Sequence, residues 1–344
     1  LGTLTGASFT WSIYAKKGER DWIFINAYNG GSERVWFDLA NGVLGTESGN
    51  AVGAIEELSN GWYKCSLIYR LCPLVYTEIK VVGSFVAYII VPLAGYDKRI
   101  HDNLLLIMPD LPIQKVKKLI REVSKNVGRT FAEIYSGSDF KKRSKTALIT
   151  GGGIESLNMA IKNGQGVILV SGHFGNYDVP RAVLSERGYK VGALYRPFAN
   201  PFFDVYYRKI IGEISLPIIP SNERSSLTKM VRLLKSGGII GMLVDVHKSN
   251  APKLKFFGKL AGTATSAANL ALKYNLALIP VYGIRLDDHG NYELVVEHPI
   301  VHSTPLKMTQ EINDSLERQV RSHMGQYFWV HRRWKAETEY ISTE

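Results

Sequence analysis

Apolar positions along the chain change rhythm near residue 99. Before that point, short runs such as "SFTWSIYAK", "DWIFINAY" and "RVWFDLA" alternate apolar and polar residues, with "NGG", "NG" and "SGN" between them. Alternation of this kind, punctuated by Asn-Gly and Gly-Gly, predicts β-hairpins. The run "GNAVGAIEELSNGWYKCSLIY" continues the pattern. Further on, "IQKVKKLIREVSKNVGRTFAEIY" and "GIESLNMAIKNG" carry apolar residues at helical spacing, and helices are also expected over 200–213, 224–236 and 263–275. Between them "VILVS", "KVGALYR", "LPIIPS", "IIGMLVDV", "ALIPVYGIRL" and "YELVVEH" read as strands. Strands alternating with helices predict an α/β domain whose mostly parallel central sheet is flanked by helices on both faces. A small all-β partial sandwich is expected to precede it. The predicted organisation is a β-rich module over 1–71, an apolar stretch over 72–98 and the α/β domain over 99–344.

The segment "VVGSFVAYIIVPLAGY", residues 81–96, is uncharged, interrupted by Gly83, Pro92 and Gly95, and followed by the basic "DKRIH". A spanning helix needs about 20 apolar residues. Two readings stay open for it, a short or interfacial membrane helix with a basic cytoplasmic flank and a buried helix of the soluble domain. The chain begins at Leu1 without methionine or the order of a signal peptide, so the natural N-terminus is expected upstream.

Composition narrows the class. The chain has 344 residues, 45% hydrophobic and 21% charged, which is globular composition with room for two or three domains. Its net charge of +11 is uneven, since the first 70 residues sum to −1 and the remainder to +12. A basic surface on the later part suits nucleic acid, anionic lipid headgroups, phosphorylated substrates or an acidic carrier protein. Cys65 and Cys72 are too few for a disulfide framework, and no Cys/His cluster has metal-ligand spacing. No metal site is expected.

Candidate chemistry gathers at "SGHFGNYD", directly after the strand "VILV". Ligands collect beyond the carboxyl ends of strands in such sheets. His173 stands there, five residues before Asp178. With a helix starting near Gly175, Asp178 in its first turn would accept a hydrogen bond from one imidazole nitrogen and leave the other as a base for an alcohol. The bland alternative is a capped helix start. No GxSxG elbow or nearby cysteine offers a nucleophile, which favours direct attack by a substrate hydroxyl. Gly151 to Gly153 lack the Lys-Ser/Thr of a P-loop and read as a flexible connection.

Taken in order, "SGHFGNYD", "LYRPFANPFFDVYYRKIIG", "FFGKLAGTATSAANLALKYNLALIPVYGIR" and "QYFWVHRRWK" resemble the late acyltransferases of lipid A biosynthesis, the lauroyl and myristoyl transferase family. "KRIHDNLLLIMPDL" and "NVGRTFAEIY" extend the resemblance upstream, to about residues 75–338. The resemblance implies a glycerolipid acyltransferase-like α/β fold and an enzyme of the inner membrane, working on its cytoplasmic face. It would move a fatty acyl chain from acyl carrier protein to a hydroxyl of a lipid A precursor, with membrane association, an anionic glycolipid acceptor, no nucleic acid and no cofactor. His173 would be the general base and Asp178 its orienting carboxylate. A related reading is acyl transfer to another glycolipid, such as a phosphatidylinositol mannoside. The first 70 residues are foreign to that family. Their "NGWYKCSLIY" resembles a strand of phage-tail-like and glycan-binding jelly-roll modules, which leaves a non-catalytic glycan-binding or structural protein as the alternative.

Other residues carry paired readings. Arg196 and Arg208 either fork onto substrate phosphates or a developing oxyanion, or are solvated surface arginines. Asp245 closes the strand "GMLVD" at a carboxyl end, as a substrate-binding residue or a simple cap. His247 beside it lacks a third metal ligand. In "FWVHRRWK", His331, Arg332, Arg333 and Lys335 lie among Phe328, Trp329 and Trp334. Such a run suits RNA stacking, a headgroup anchor, or a strand end with solvated charges. The family resemblance selects lipid, with Arg332 and Arg333 as substrate-binding residues. Thr263 and Ser266 either contact substrate or are an N-cap and a helix surface, and the second is expected.

Overall fold

The computed structural model describes residues 8–16, 18, 21–28, 32–47, 51–70, 82–287 and 290–335. The chain divides into two compact units, residues 1–75 and 76–344.

In the first unit the alternating runs form six strands, β1 (Ser8–Lys16), β2 (Trp22–Tyr28), β3 (Ser32–Asp38), β4 (Val43–Glu47), β5 (Ala51–Glu57) and β6 (Trp62–Arg70). They make two antiparallel sheets, ordered β1-β6-β5 and β2-β3-β4. Alternation sends Ile25, Val35 and Phe37 of one sheet and Cys65 and Leu67 of the other into a shared core, while Trp22, Phe24 and Trp62 stay exposed. This is a small sandwich of six described strands, fewer than the eight of a jelly roll. Burial pushes the Cys65 thiol up. Cys72 lies outside the described residues.

The second unit begins with helical turns over residues 82–93 (α1), which include a π-turn at Val86–Ile90. Ala87 and Val91 are buried, whereas Val82, Phe85, Tyr88 and Leu93 are exposed. Both readings of this segment are thereby modified, because it is a half-buried helix whose exposed side is as apolar as its buried side. Among the described residues no helix is long and apolar enough to cross a membrane. Next come α2 (Tyr96–Ile107), α3 (Ile113–Tyr135) and α4 (Ser138–Ser144). A Cβ on Gly128 of α3 would meet Gly83 and Val86, so two glycines let α1 and α3 approach closely.

From there strands and helices alternate: β7 (Leu148–Thr150), α5 (Ile154–Lys162), β8 (Val167–Ser171), α6 (Val179–Glu186), β9 (Val191–Tyr195), α7 (Pro201–Ile214), β10 (Ile218–Pro220), α8 (Ser226–Lys235) and β11 (Ile239–Leu243). A hairpin of β12 (Lys253–Phe256) and β13 (Lys259–Gly262) precedes α9 (Ser266–Tyr274), β14 (Ala277–Arg285), β15 (Tyr292–Val296) and α10 (Pro305–Ser322). Seven strands form one sheet ordered β10-β9-β11-β8-β14-β15-β7, parallel except for the β14–β15 pair. The expected α/β architecture is present. Strand β8 is buried throughout, as a central parallel strand covered on both faces should be. Val167, Leu169, Val191, Ile239 and Ile279 pack with α4 to α7 on one face, and Ile168, Val170, Ile240 and Leu278 with α8 to α10 on the other.

Three sequence expectations need correction here. Gly151 to Gly153 are not a loose connection, because a Cβ on Gly151 or Gly153 would strike the backbone of Val296 or Glu297, and Gly153 N–H donates to Val296 O. Trp329 and Trp334 are almost fully buried with Phe256, Phe257 and Tyr327, so they are core residues and not a headgroup anchor. Thr263 is also buried instead of capping a helix surface.

Candidate active site

The central strands β8 and β11 run parallel, with Ser171 opposite Leu243. Two residues beyond these paired positions stand His173 and Asp245. Sheet register therefore sets the two side chains together: His173 Nδ1 lies 2.8 Å from Asp245 Oδ1, and the His173 backbone N–H donates to Asp245 Oδ2 at 3.0 Å. Asp245 is fully buried. Burial alone would raise its pKa, but the His173 ring and its hydrogen bonds, with His331 nearby, hold the carboxyl well below the usual carboxylate range. An ionised Asp245 requires Nδ1 to be the protonated nitrogen, which leaves the Nε2 lone pair outward as a base.

The glycines of "SGHFGNYD" serve this arrangement. A Cβ on Gly172 would press on Leu316 and the Asp245 carboxyl, and one on Gly175, at φ +59°, would strike Gly283 O. Gly175 O accepts from Asn126 Nδ2 and Thr130 Oγ1 of α3, and Gly175 N–H donates to Gln326 O. Asn176 Nδ2 donates to Glu133 Oε2 at 2.8 Å, and Glu133 is itself paired with Arg285 in the interior. The turn is thus fixed by buried polar groups on α3 and β14.

Asp178 does not bond the imidazole. Its Oδ1 accepts from Arg181 Nε at 2.8 Å, three residues on in α6, and although Asp178 is the N-cap residue of that helix its side chain caps none of the helix N–H groups. Arg181 continues to Ile211 O and Ser215 Oγ. An i,i+3 pair on one helix turn outcompeted the i,i+5 contact to His173 that the sequence suggested.

His173 opens onto two cavities. One, of about 370 Å³, is lined by Leu169, Ser171, Ala193, Gly241, Leu243 and Val281 among others, and runs between the sheet and helices α6 and α7. Arg196 and Asp178 also line it. The second, of about 200 Å³, lies toward α3, with Val127, Phe131, Tyr177, Phe328 and His331 in its wall. Ser171 Oγ is buried and has no hydrogen-bond partner among the described residues. Tyr177 and His331 meet the His173 ring edge-on, with centroids 5.3 and 4.7 Å away. Burial first, then repulsion from the His173 ring, pushes the His331 pKa down to about 4.

The remaining expected residues are more dispersed. Arg196 is exposed at the mouth of the larger cavity, and Arg208 is exposed on α7 beside the Tyr195 hydroxyl. Arg332 lines a separate basic hollow with Lys98, Arg99 and Lys335. Arg333 is buried and donates to Gly262 O and Thr263 Oγ1 at 2.8 and 2.7 Å, so it ties the C-terminal segment to β13 instead of facing a cavity. His247 Nδ1 is spent on Arg333 O. Among the described residues no three His, Cys, Asp or Glu side chains could hold a metal ion.

The family model for bacterial lipid A biosynthesis acyltransferases matches residues 65–336. The chain belongs to this family. It is similar to the lipid A biosynthesis lauroyltransferase of Escherichia coli strain K12, at 25% identity over 255 residues, covering 70% of this chain and 80% of the relative. The palmitoleoyltransferase of the same strain and a lipid A biosynthesis acyltransferase of Shigella flexneri are each 21% identical over 281 residues, covering 80% of this chain and 90% of each relative. The protein is therefore an acyltransferase, not the non-catalytic glycan-binding protein considered above. The acyltransferase match begins within β6, and nothing in these comparisons supports a jelly-roll origin for the preceding residues.

Proposed function

We propose that the enzyme transfers a fatty acyl chain from acyl carrier protein to a hydroxyl of an anionic lipid A precursor, with His173 as general base and Asp245, not Asp178, as its orienting carboxylate. One observation carries this reading: the imidazole is bonded through Nδ1 to a buried carboxylate, while its other edge faces both cavities. His173 Nε2 removes the acceptor hydroxyl proton as the oxygen attacks the thioester carbonyl. The tetrahedral adduct then collapses, the C–S bond breaks, and the carrier thiolate receives the proton back from the imidazolium. No covalent acyl-enzyme is formed. Asp245 keeps the ring in the productive tautomer and stabilises the imidazolium. Arg196, at the cavity mouth, supplies positive charge to the developing oxyanion or a substrate phosphate.

The apolar larger cavity suits the donor chain, and the smaller one suits part of the acceptor. Arg332, Lys98, Arg99 and Lys335 offer a basic surface to an acidic carrier or to headgroup phosphates, and no role for nucleic acid is invoked. Exposed Phe85, Tyr88 and Leu93 on α1 support association with the cytoplasmic face of the inner membrane. The test is mass spectrometry of products formed by the full chain from acyl carrier protein loaded with different chains and a lipid A precursor. A heavier lipid that disappears with His173→Ala is the expected result, and no product from any donor with a folded protein would overturn the reading. Sedimentation with anionic vesicles checks the membrane association separately.

A further inference from the structure

The seven-stranded sheet contains three strand-interior glycines, Gly192, Gly241 and Gly283. Two have a packing reason. A Cβ on Gly192 would meet Leu233 at 2.8 Å, and one on Gly283 would strike Asn176 O. Gly241 has none, because the nearest atom to its Cβ would be Gly192 O at 3.9 Å. It nevertheless sits on β11 between β8 and β9, at the centre of the sheet. Glycine there weakens a strand and marks either a bulge or a place where something else comes close to the backbone. The register on both sides is regular, so a bulge is excluded.

What lies over Gly241 is the larger cavity, which both Gly241 and Ala193 line. The two residues are paired across β11 and β9 and share one face of the sheet. The same row continues through Ile218 on one side and Leu169 and Ile279 on the other, all large side chains. A trough two strands wide is therefore cut into an otherwise filled apolar layer. It begins near His173, Ser171 and Leu243 at the carboxyl end of the sheet and reaches Val191, the first residue of β9.

We infer that Gly241, with Ala193 beside it, determines the length of acyl chain the enzyme accepts, by leaving unfilled the part of the trough that holds the end of the chain. This inference rests on the acyl-transfer reading above. A side chain at 241 would occupy the volume of the terminal methylenes, and the loss grows with its size. In an apolar pocket each methylene without a place costs roughly tenfold or more in kcat/KM.

The experiment measures kcat/KM of the full chain with acyl carrier protein carrying saturated chains of graded length and a lipid A-type acceptor. Gly241→Leu is expected to move the preferred donor to a shorter chain, with the longest donor falling at least about tenfold relative to the shortest. Gly241→Ala should shift the profile less, and Ala193→Leu, on the neighbouring strand, should shift it in the same direction. Either keeps the test open should Gly241→Leu fail to fold. An active wild type with an unshifted profile in the variants, or with a uniform fall at all lengths, overturns the inference and leaves the acyl-transfer reading intact. A wild type that transfers no chain defeats that reading instead. Displacement of a fluorescent fatty acid by free fatty acids of graded length then reads the trough directly. A shorter cut-off in Gly241→Leu supports the inference, and an identical cut-off overturns it.

Discussion

Asp245 Oδ1 stands 2.8 Å from His173 Nδ1 although 72 positions separate the two residues. Asp245→Asn should keep the fold but remove the charge that fixes the tautomer, lowering kcat by about 10²–10⁴. Asp178→Asn should act differently. It leaves the buried Arg181 without its carboxylate partner, so the loss is expected in stability, by about 3–5 kcal/mol, with a smaller effect on kcat. Urea unfolding beside initial rates separates the two variants, and a larger kcat loss in Asp178→Asn would reverse the assignment.

The contrast between these aspartates shows how far the sequence carries. Alternating strands and helices predicted the parallel sheet, and the strand-end rule marked both His173 and Asp245 as site positions. Which carboxylate meets the imidazole depends on β8 and β11 being neighbours, a long-range pairing that no local spacing encodes. The local candidate, Asp178, was drawn away by Arg181 within its own helix turn. Arg333 was misread for a similar reason, since the groups that bury it, Gly262 and Thr263, lie about 70 positions away. The polar cradle on α3 left only one sequence signal, Asn126, Thr130 and Glu133 at helical spacing on one side of the helix, and nothing local ties them to the turn after β8. Strand β7 and the β12–β13 hairpin escaped because runs of three and four residues carry too little periodicity, whereas the equally short β10 was marked by the continuous apolar run "LPIIP".

Ser171 Oγ is buried in the wall of the larger cavity with no protein partner among the described residues. A hydroxyl left in that state costs the fold about 1–3 kcal/mol. Ser171→Ala should therefore leave the melting temperature unchanged or raise it. If the hydroxyl bonds the substrate, kcat falls by roughly 3- to 10-fold in the same variant. A lower melting temperature with unchanged kcat would assign it a structural role.

Glu133 and Arg285 form a buried ion pair that also holds Asn126 and Asn176 beneath the catalytic turn. Glu133→Leu strands a buried guanidinium and frees the Asn176 side chain, and is expected to cost about 3–5 kcal/mol. Adding Arg285→Met should restore part of that loss, since removing both charges is cheaper than removing one. A double-mutant cycle by urea unfolding measures the coupling, and additive losses would show that the pair is not a unit. Activity should remain low in the double variant, because Asn176 still lacks its acceptor under the His173 turn.

His331 provides a pH test. In the folded chain, burial and then the His173 ring lower its pKa from an ordinary 6.5 to about 4. The unfolded chain protonates near the ordinary value, so between these two limits the unfolded state binds more protons and folding stability falls as pH falls. The contribution is fully present above pH 6.5 and gone below about 4, and amounts to at most about 3 kcal/mol. Asp245, whose folded pKa is also depressed, adds a loss of the same sign only at lower pH. Replacing the ring by His331→Gln removes the first contribution and leaves the second. Denaturant unfolding across this range should then show a flatter dependence between pH 6.5 and 4 in the variant than in the wild type. Equal slopes would mean that the folded chain takes up the proton as readily as the unfolded one, and that His331 is more hydrated than its burial against His173 and Phe328 implies.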